Sequence, residues 1–205
     1  MLNLEKNFLK KRILIYGLGK SGLSTYSFLK KNNVISLFDD RIIAKKKIKD
    51  THTTYKEIIK KEFDCIIISP GIDINKCKLS RFLKKNHKKI YTDLDIFYSR
   101  YAFNQKITIT GTNGKSTTAK LLYDILKDQK KDVRLVGNIG NPILLEKKIK
   151  KDTLFVIEAS SYQLEYSKLF KTNISIILNI TPDHLERHKT IDKYVSAKFK
   201  LIKNQ

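Results

Sequence analysis

Short runs of apolar residues alternate with amphipathic segments along most of the 205-residue chain. Short apolar runs that end in glycine or a polar residue predict buried strands, and apolar spacings of three and four residues predict helices. The pattern predicts strands at residues 12–16, 34–38, 63–69, 107–110, 133–136, 153–157 and 174–178, helices at residues 23–31, 115–130 and 190–202, and a lysine-rich, helix-like segment after residue 40. Strands that alternate with helices in this way indicate an α/β fold.

The most informative stretch is KITITGTNGKSTT at residues 106–118. A β-branched strand leads through a glycine turn into a helix, and this order makes a phosphate cradle from backbone N–H groups and the positive end of the helix dipole. Lys115 would neutralise the β- and γ-phosphates, and the Ser116 hydroxyl would hold Mg²⁺. The loop is shorter than the common G-x-x-x-x-G-K-[ST] pattern, because Ile109 stands where the first glycine would be. We interpret the stretch as an ATP site.

A second glycine turn follows the first predicted strand. Residues 17–22 read G-x-G-x-x-G, and Asp39 and Asp40 end the next strand about 20 residues later. Together these features are the dinucleotide-binding fingerprint, with an acid placed to accept a hydrogen bond from a ribose or a base. The glycine turn alone favours a dinucleotide, although any ligand with a diphosphate could use it. Residues 69–71, Ser-Pro-Gly, end another buried strand at a position where α/β sheets bind ligands.

Polar residues after the other strands are weaker signals. Glu158 follows the apolar run TLFVI, and an acid at the tip of a strand beside a phosphate loop is a candidate Mg²⁺ ligand. His184 and His188 lie four residues apart, but Leu185 stands where a zinc-protease motif needs glutamate, which excludes that motif. By its chemistry alone, His184 is more simply a loop histidine than a metal ligand, and Lys198 is one lysine among many.

The composition and the distribution of charge exclude several classes of protein. Apolar residues make up 41% of the chain, which is enough for a core. The net charge is +22, but the lysines are spread along the chain, in runs such as residues 45–47, 60–61, 84–85 and 147–148, which argues against a nucleic-acid patch. There is no apolar run of the roughly 18 residues that a membrane span needs and no signal-peptide pattern. Two cysteines without metal or disulfide spacing predict reduced thiols. We therefore expect a cytoplasmic protein without a nucleic-acid or membrane partner.

Several motifs occur together in the order of one known family. They are GLGKSGLS (17–24), SPGI (69–72), TGTNGKSTT (110–118), GNIGNP (137–142), EASSYQLE (158–165), LNITPDHLERH (178–188) and YVSAKFKLI (194–202). The set resembles the Mur ligase family, and the stretches GLGKSGLS and SSYQLE are similar to its D-glutamate-adding branch. The resemblance implies an α/β fold in which a Rossmann-like domain at residues 1–104 binds a UDP substrate. A phosphate-loop α/β domain, the Mur ligase central domain, would follow at residues 105–205 and would be truncated.

The resemblance also implies an activity and a set of roles. The activity is ATP-dependent ligation of D-glutamate to UDP-N-acetylmuramoyl-L-alanine through an acyl-phosphate, in peptidoglycan biosynthesis, by a monomer that uses ATP and two Mg²⁺ ions. The first glycine turn would then bind a UDP-sugar rather than a dinucleotide. The implied UDP-binding residues are Gly19, Lys20, Ser21, Ser69, Pro70 and Gly71, with Asp39 on the uracil, and Asn138, Ser160 and Gln163 would line the rest of the substrate. The implied ATP-binding residues are Gly111, Thr112, Asn113, Gly114, Lys115, Ser116 and Thr117. The implied metal ligands are Ser116, Glu158, His184 and a carbamylated Lys198, and the implied catalytic residues are Lys115, His184 and Lys198.

Family members continue beyond the position of Gln205, through further strands of the central domain and a third domain that binds the incoming amino acid. We therefore expect an N-terminal fragment that binds the UDP substrate but turns over poorly or not at all. Two other functions stay open: another Mur-type or folylpolyglutamate-type ligase, and a non-catalytic basic module that binds nucleotides or nucleic acid. GLGKSGLS together with SPGI argues against the folylpolyglutamate type. A binding module would leave Glu158, His184 and Lys198 without a shared purpose.

Overall fold

The computed structural model describes residues 7–41 and 53–203. The chain forms two compact units, residues 1–100 and residues 101–205, which we call the N-terminal and the C-terminal unit. Each contains a four-stranded sheet in which all strand pairs are parallel, with helices between the strands. The α/β class that the sequence predicts is therefore confirmed.

The N-terminal unit is a small doubly wound sheet. Its strands are β1 (Arg12–Tyr16), β2 (Val34–Phe38), β3 (Cys65–Ile68) and β4 (Ile90–Tyr91), and its helices are α1 (Lys20–Leu29), α2 (Tyr55–Lys60), α3 (Ser80–Lys85) and α4 (Asp93–Arg100), with a 3-10 turn at His87–Lys89. The strand order is β2-β1-β3-β4. The chain thus builds outward from β1 first on one side and then on the other. Open α/β sheets bind ligands at such a reversal, outside the carboxyl ends of the strands.

The central strands of this unit, β1 and β3, are apolar and buried except at Arg12, the first residue of β1. Ile13, Leu14 and Ile15 of β1 are fully buried, as expected for a parallel sheet that is covered on both faces. The lysine-rich segment predicted after residue 40 lies partly outside the described residues, including the lysine run at residues 45–47. Its described part contains α2, which begins with a capping box between Thr54 and Glu57.

The C-terminal unit carries the phosphate-loop stretch. Its strands are β5 (Lys106–Thr110), β6 (Val133–Gly137), β7 (Leu154–Glu158) and β8 (Ile174–Ile177), and its helices are α5 (Lys115–Asp128), α6 (Ser161–Glu165), α7 (Leu185–His188) and α8 (Ile191–Lys203), with a 3-10 turn at Ile143–Leu145. The strand order is β6-β7-β5-β8. Since all strands run in the same direction, the segments that follow β5, β6, β7 and β8 emerge at one edge of the sheet.

Helix α5 fixes the position of the phosphate loop by packing on the sheet. Its buried Ala119 lies in a core cluster with Ile109, Val133 and Val156 from three different strands. The amphipathic spacing of this helix keeps its apolar side on that cluster and leaves Lys120 and Asp124 in solvent, where they form an ion pair. The first turn of α5 is therefore held at the carboxyl end of β5, where the loop begins.

The predicted elements agree with the observed ones within narrow limits. Strands 12–16 and 34–38 match, and most other bounds differ by one or two residues, as is usual at frayed ends. Helix α1 begins at Lys20 rather than at residue 23, because Gly22 of the glycine turn lies inside the first turn of the helix. In the described part of the chain, no helix is both long enough and apolar enough to cross a bilayer.

Candidate active site

The phosphate loop spans Gly111 to Gly114, between β5 and α5. Gly114 has φ +81°, a left-handed conformation that a residue with a Cβ rarely adopts, and it immediately precedes the first helical residue. Asn179, just after β8, braces the loop through two side-chain hydrogen bonds. Its Oδ1 accepts from the N–H of Asn113 at 2.9 Å, and its Nδ2 donates to the carbonyl of Asn113 at 3.1 Å. The loop is therefore tied to the neighbouring strand as well as to its own.

Lys115 and the start of α5 supply positive charge at this loop. The Nζ of Lys115 donates to the carbonyl oxygen of Thr112 at 2.6 Å, so the side chain folds back over the loop. No side chain caps the N-terminus of this 14-residue helix, which leaves its first backbone N–H groups available to an anion. The arrangement suits a phosphate group, as the sequence predicts.

Glu158 is a buried carboxylate at the end of β7. Its two oxygens accept from the Ser116 hydroxyl and from the Asn138 side-chain amide, each at 2.8 Å. The residue has no exposed surface, and among the described residues no Lys, Arg or His forms an ion pair with it. A buried carboxylate without a cation is costly unless a positive ion compensates it. Hard oxygen donors such as this carboxylate and the Ser116 hydroxyl are the ligands that Mg²⁺ prefers, so the residues fit that ion.

Lys198 reaches the loop from α8. Its side chain is 1% exposed, and its Nζ donates to the carbonyl of Gly111 at 2.7 Å. The Nζ also lies 4.6 Å from the ring centre of Tyr194, whose hydroxyl is 3.0 Å from the Thr112 hydroxyl. Burial, together with the nearby Lys115 charge, lowers the pKa of Lys198 to about 8, while Asp183 acts in the opposite direction.

His184 belongs to an aromatic group next to this arrangement. It is exposed, adopts a left-handed backbone conformation (φ +53°) and lies 4.8 Å from the Tyr162 ring and 6.4 Å from the Tyr194 ring, centre to centre. Its nitrogens lie near the carboxylates of Asp183 and Glu186, at 3.4 and 3.7 Å. His188 is buried, which lowers its pKa, and its Nε2 lies 3.0 Å from the Ser161 hydroxyl. The two histidines thus differ in burial, although both rings pack against Tyr162 and Tyr194.

The predicted metal ligands fall into two contact groups. Ser116 and Glu158 are in direct contact. Lys198 contacts the loop directly at Gly111, and Tyr194 lies between Lys198 and His184. Within the described ranges, no three His, Cys, Asp or Glu side chains converge as metal ligands. Besides the Glu158 carboxylate, a Mg²⁺ site here would therefore need the Ser116 hydroxyl and the phosphates of a bound nucleotide, which is the usual way that this ion is held beside a phosphate loop.

The glycine turn of the N-terminal unit lies at the reversal between β1 and β3. The Ser69 hydroxyl donates to the carbonyl of Gly17 at 2.8 Å, which joins the two predicted substrate-binding segments. Asp39 lies at the end of β2, and its Oδ2 accepts from the N–H of Leu18 at 2.6 Å. Lys20, Gly19 and Gly71 are exposed, and Ser21, Ser69 and Pro70 are partly exposed. The predicted residues thus surround one turn, with Asp39 also serving to hold that turn in place.

Ser160 and Gln163 have a local structural role at the start of α6. The Gln163 N–H donates to the Ser160 hydroxyl at 3.3 Å, and the Gln163 Oε1 accepts from the Ser160 N–H at 3.0 Å, which makes a capping box. Asn138 is exposed beside Glu158. The structure places all three residues at the same edge of the sheet as the phosphate loop, and the capping box accounts for the pairing of Ser160 with Gln163.

Two family models match the chain, one in each unit. The model described as the Mur ligase MurD-like N-terminal domain matches residues 11–90, and the Mur ligase middle domain matches residues 109–205. The chain belongs to the Mur ligase family. The matched ranges include the glycine turn of the N-terminal unit and the phosphate loop of the C-terminal unit. The family resemblance that the motifs indicate is confirmed.

Curated relatives agree with this Mur ligase assignment. The UDP-N-acetylmuramoylalanine–D-glutamate ligase of Caldicellulosiruptor bescii is 37% identical over 95% of this chain, and that of Rickettsia bellii is 36% identical over 94%. The chain spans less than half the length of these relatives, 45% and 43% respectively. The UDP-N-acetylmuramate:L-alanyl-gamma-D-glutamyl-meso-diaminopimelate ligase of Neisseria meningitides has a related structure, with a TM-score of 0.59 over 95% of this chain and 68% of that chain. At 15% identity this likeness shows a shared fold.

Two residues of the Mur ligase middle domain have site roles that the sequence motifs do not assign. Asn179 braces the phosphate loop, and Tyr194 contacts both Thr112 and Lys198. Asn179 directly follows a predicted strand. Glu158 is identified as a candidate because it is a polar residue at the end of a strand, and the same criterion could have identified Asn179. Tyr194 carries no such signal, because it lies in the interior of an amphipathic helix pattern where a buried aromatic residue is ordinary.

Proposed function

We propose that this chain supplies the UDP-substrate and ATP domains of an ATP-dependent ligase that joins D-glutamate to UDP-N-acetylmuramoyl-L-alanine in peptidoglycan biosynthesis. One observation carries the proposal: a MurD-like N-terminal domain is followed by a phosphate loop whose Ser116 contacts the buried Glu158, a carboxylate that forms no ion pair with any described residue. The relatives that share both domains carry the name of this ligase. A nucleotide-binding module without chemistry would have no need for the buried acid.

ATP would bind with its phosphates in the loop from Gly111 to Thr117. Backbone N–H groups of the loop and of the first turn of α5 would donate to the phosphate oxygens, and Lys115 would leave the Thr112 carbonyl to pair with them. Fixed donors around the transferred phosphate lower the energy of the transition state more than that of the ground state, which is the main source of catalysis in phosphoryl transfer.

Mg²⁺ would be held by Ser116 and Glu158, and a second ion by His184 and carbamylated Lys198. When bound, such ions neutralise charge on the phosphates and the attacking oxygen. Two contacts in the protein hold these metal-binding side chains in position. Asn138 donates a hydrogen bond to one oxygen of Glu158, and Tyr194 packs against Lys198 beside the loop. Buried surroundings strengthen each of these interactions because the local dielectric constant is low.

The chemistry proposed is amide formation in two steps. The terminal carboxylate of the substrate's alanine attacks the γ-phosphate of ATP, which forms an acyl-phosphate and releases ADP. The amine of D-glutamate then attacks the acyl carbon, and inorganic phosphate leaves as the amide forms. Asn138, Ser160 and Gln163 would line the substrate arm beside the phosphate loop, with the capping box keeping the last two in place.

In the N-terminal unit the UDP moiety would bind at the turn between β1 and β3. The first turn of α1 has no side-chain cap, so its N–H groups, with Lys20 and Ser21, would receive the diphosphate. Ser69, Pro70 and Gly71 would close the other side. Asp39, whose two oxygens already accept from the N–H groups of Leu18 and Arg41, would contact the uracil. The ligand differs from a dinucleotide, but the use of the glycine turn is the same.

We further propose that the protein acts in the cytoplasm as a monomer, without a nucleic-acid or membrane partner. Both cysteines are unpaired in the structure, which agrees with a reducing compartment. Among the described residues, lysines occur in helices of both units, namely α1, α2, α3, α5 and α8, and this favours a general compositional bias over a nucleic-acid surface.

Calorimetric titration tests the UDP site directly. We expect UDP-N-acetylmuramoyl-L-alanine to bind and NADH not to bind or to compete. Lys20→Ala should weaken binding by roughly tenfold, the loss of one charge-assisted hydrogen bond. The control is Lys30→Ala, an exposed lysine at the other end of α1, which should leave the affinity unchanged. Binding of NADH in place of the UDP compound would contradict the ligase and restore the dinucleotide interpretation.

Carbamylation of Lys198 is tested without measuring activity. In ¹³C-labelled bicarbonate, the neutral amine would attack CO₂, lose a proton and become a carbamate that gives a new ¹³C NMR signal. We expect this signal in the unaltered chain and in Lys193→Ala, an exposed lysine of the same helix, and its absence in Lys198→Ala. The same signal in Lys198→Ala would show that the labelled site lies elsewhere.

A further inference from the structure

Helix α7 is a short helix that lies between two residues in a left-handed backbone conformation. His184, which precedes the helix, has φ +53°, and Lys189, which follows it, has φ +71°. Residues with a Cβ rarely adopt such angles, and they do so where the surrounding contacts hold them there. Both side chains are exposed, so burial of these two residues does not explain the conformation. The contacts of α7 itself therefore decide whether the conformation persists.

Three consecutive residues of α7 each contact one residue of α6, in the pairs Glu186–Tyr162, Arg187–Glu165 and His188–Ser161. The second pair joins two opposite charges, because the Nε and Nη2 atoms of Arg187 lie 2.9 and 2.8 Å from Oε2 of Glu165. The Arg187 side chain is 7% exposed. Hydrogen bonds between charged groups are stronger than those between neutral groups, and a buried charge without its partner is costly. Arg187 therefore makes the strongest of the three connections.

Two tyrosine rings also contact the Arg187 guanidinium. Its Cζ lies 5.2 Å from the ring centre of Tyr162 and 5.5 Å from that of Tyr166, which are distances at which a cation is attracted to an aromatic ring. The same Tyr162 ring lies 4.8 Å from the His184 ring. The backbone N–H of Arg187 donates to the carbonyl of His184 at 3.0 Å. Arg187 is thus connected to His184 both through Tyr162 and through the backbone.

Helix α6, on which α7 is held, has a fixed position relative to Glu158. It begins three residues after that carboxylate, which ends β7. The capping box between Ser160 and Gln163 holds the short connection in one conformation. A residue that attaches α7 to α6 therefore also sets where His184 lies relative to Glu158. Arg187 is the residue that makes this attachment most strongly.

We propose that Arg187 is a positioning residue, which attaches α7 to α6 and thereby keeps the His184 imidazole packed against Tyr162 and Tyr194, next to the phosphate loop. The inference rests on the proposed function, in which His184 helps to hold a second metal ion. Arg187 is buried and would touch neither ATP nor the metal; it would act through His184. Without Arg187, the left-handed segment would relax to a commoner backbone conformation, and the imidazole would leave its place beside the Tyr162 ring.

Nuclear magnetic resonance of the ligand-free chain measures the position of His184 directly. The chain contains four histidines, so their ring signals are few, and a spectrum of His184→Gln identifies the signals of His184. In the unaltered chain we expect nuclear Overhauser contacts between the His184 and Tyr162 rings. Arg187→Met, which puts an unbranched apolar side chain in place of the guanidinium, should abolish these contacts at temperatures well below its melting temperature. Loss of stability alone would not remove them from a chain that is still folded.

Arg134→Met is the matched control. Arg134 is another half-buried, ion-paired arginine of the same unit, so its loss should also lower the melting temperature. The contacts between His184 and Tyr162 should nevertheless stay as they are in the unaltered chain. Should Arg187→Met fail to fold, Glu165→Gln gives a second test. It removes the charge of the partner but keeps an acceptor oxygen, and it should weaken the same ring contacts.

A second measurement uses Mn²⁺ together with ATP, because this paramagnetic ion broadens the signals of nearby nuclei. We expect the His184 ring signals to broaden in the unaltered chain and in Arg134→Met, and to broaden much less in Arg187→Met. This result would show that the position set by Arg187 is the one that brings His184 to the metal.

Ring contacts that persist in Arg187→Met and Glu165→Gln would overturn the role of Arg187, as would contacts that disappear to the same extent in Arg134→Met. The ligand-free spectra decide this whether or not ATP binds. An unaltered chain that binds ATP with Mn²⁺ but shows no broadening at His184 would overturn the proposed second metal ion, and with it the purpose of the position that Arg187 sets. Failure of the folded chain to bind ATP would instead overturn the proposed function of the phosphate loop.

Discussion

Replacing Lys115 with alanine is expected to weaken the binding of ATP in the presence of Mg²⁺ by about 30-fold or more. Hydrogen bonds to charged groups contribute about 1.5–3 kcal/mol each, and the Lys115 ammonium would make such bonds to the phosphates. Its contact in the ligand-free protein is one bond to the Thr112 carbonyl, so the melting temperature should change little. Calorimetric titration with ATP and a thermal melt measure the two quantities.

Lys120→Ala is the matched control for this change. Lys120 lies on the same helix, is exposed and pairs with Asp124, and surface pairs of this kind contribute little to stability. ATP affinity should therefore be that of the unaltered chain. Equal ATP affinity in Lys115→Ala and Lys120→Ala would mean that the loop does not hold the phosphates through Lys115.

Gly22→Ala is expected to destabilise the N-terminal unit by about 3 kcal/mol and to abolish binding of the UDP compound. A Cβ at Gly22 would lie 1.8 Å from the carbonyl oxygen of Gly17. Since that oxygen belongs to the backbone, it cannot rotate away, and α1 would have to move off β1. The movement would displace the helix N-terminus that is proposed to receive the diphosphate. Thermal unfolding and hydrogen exchange of the amides in β1 measure the loss of stability.

Gly19→Ala provides the comparison for stability. A Cβ at Gly19 would meet no heavy atom within 4 Å, and its φ of −72° suits any residue. The cost should be at most about 1 kcal/mol, the typical penalty for alanine at a helix N-cap. If Gly19→Ala and Gly22→Ala lost equal stability, close packing of α1 on β1 would not explain the need for glycine at Gly22.

Much of the fold follows from local patterns. The strands at residues 12–16 and 34–38, the phosphate loop and the helix after it are marked by apolar runs, β-branched residues and glycines that act within a few residues. The contact between Ser116 and Glu158 is also predictable from sequence, because the two stand at the ends of elements that parallel strands bring to one edge. The family resemblance assigns Ser160 and Gln163 only a substrate-lining role, although the spacing S-x-x-Q also marks a capping box.

The contacts that complete the site depend on tertiary structure. Thr112 meets Tyr194 across 82 residues, and Lys198 meets Gly111 across 87. Apolar periodicity predicts which face of a helix is buried, but it does not predict which strand or helix packs against that face. The order β6-β7-β5-β8 and the direction of α8 decide those pairings, since burial stabilises any well-packed arrangement and only the complete set of elements selects one.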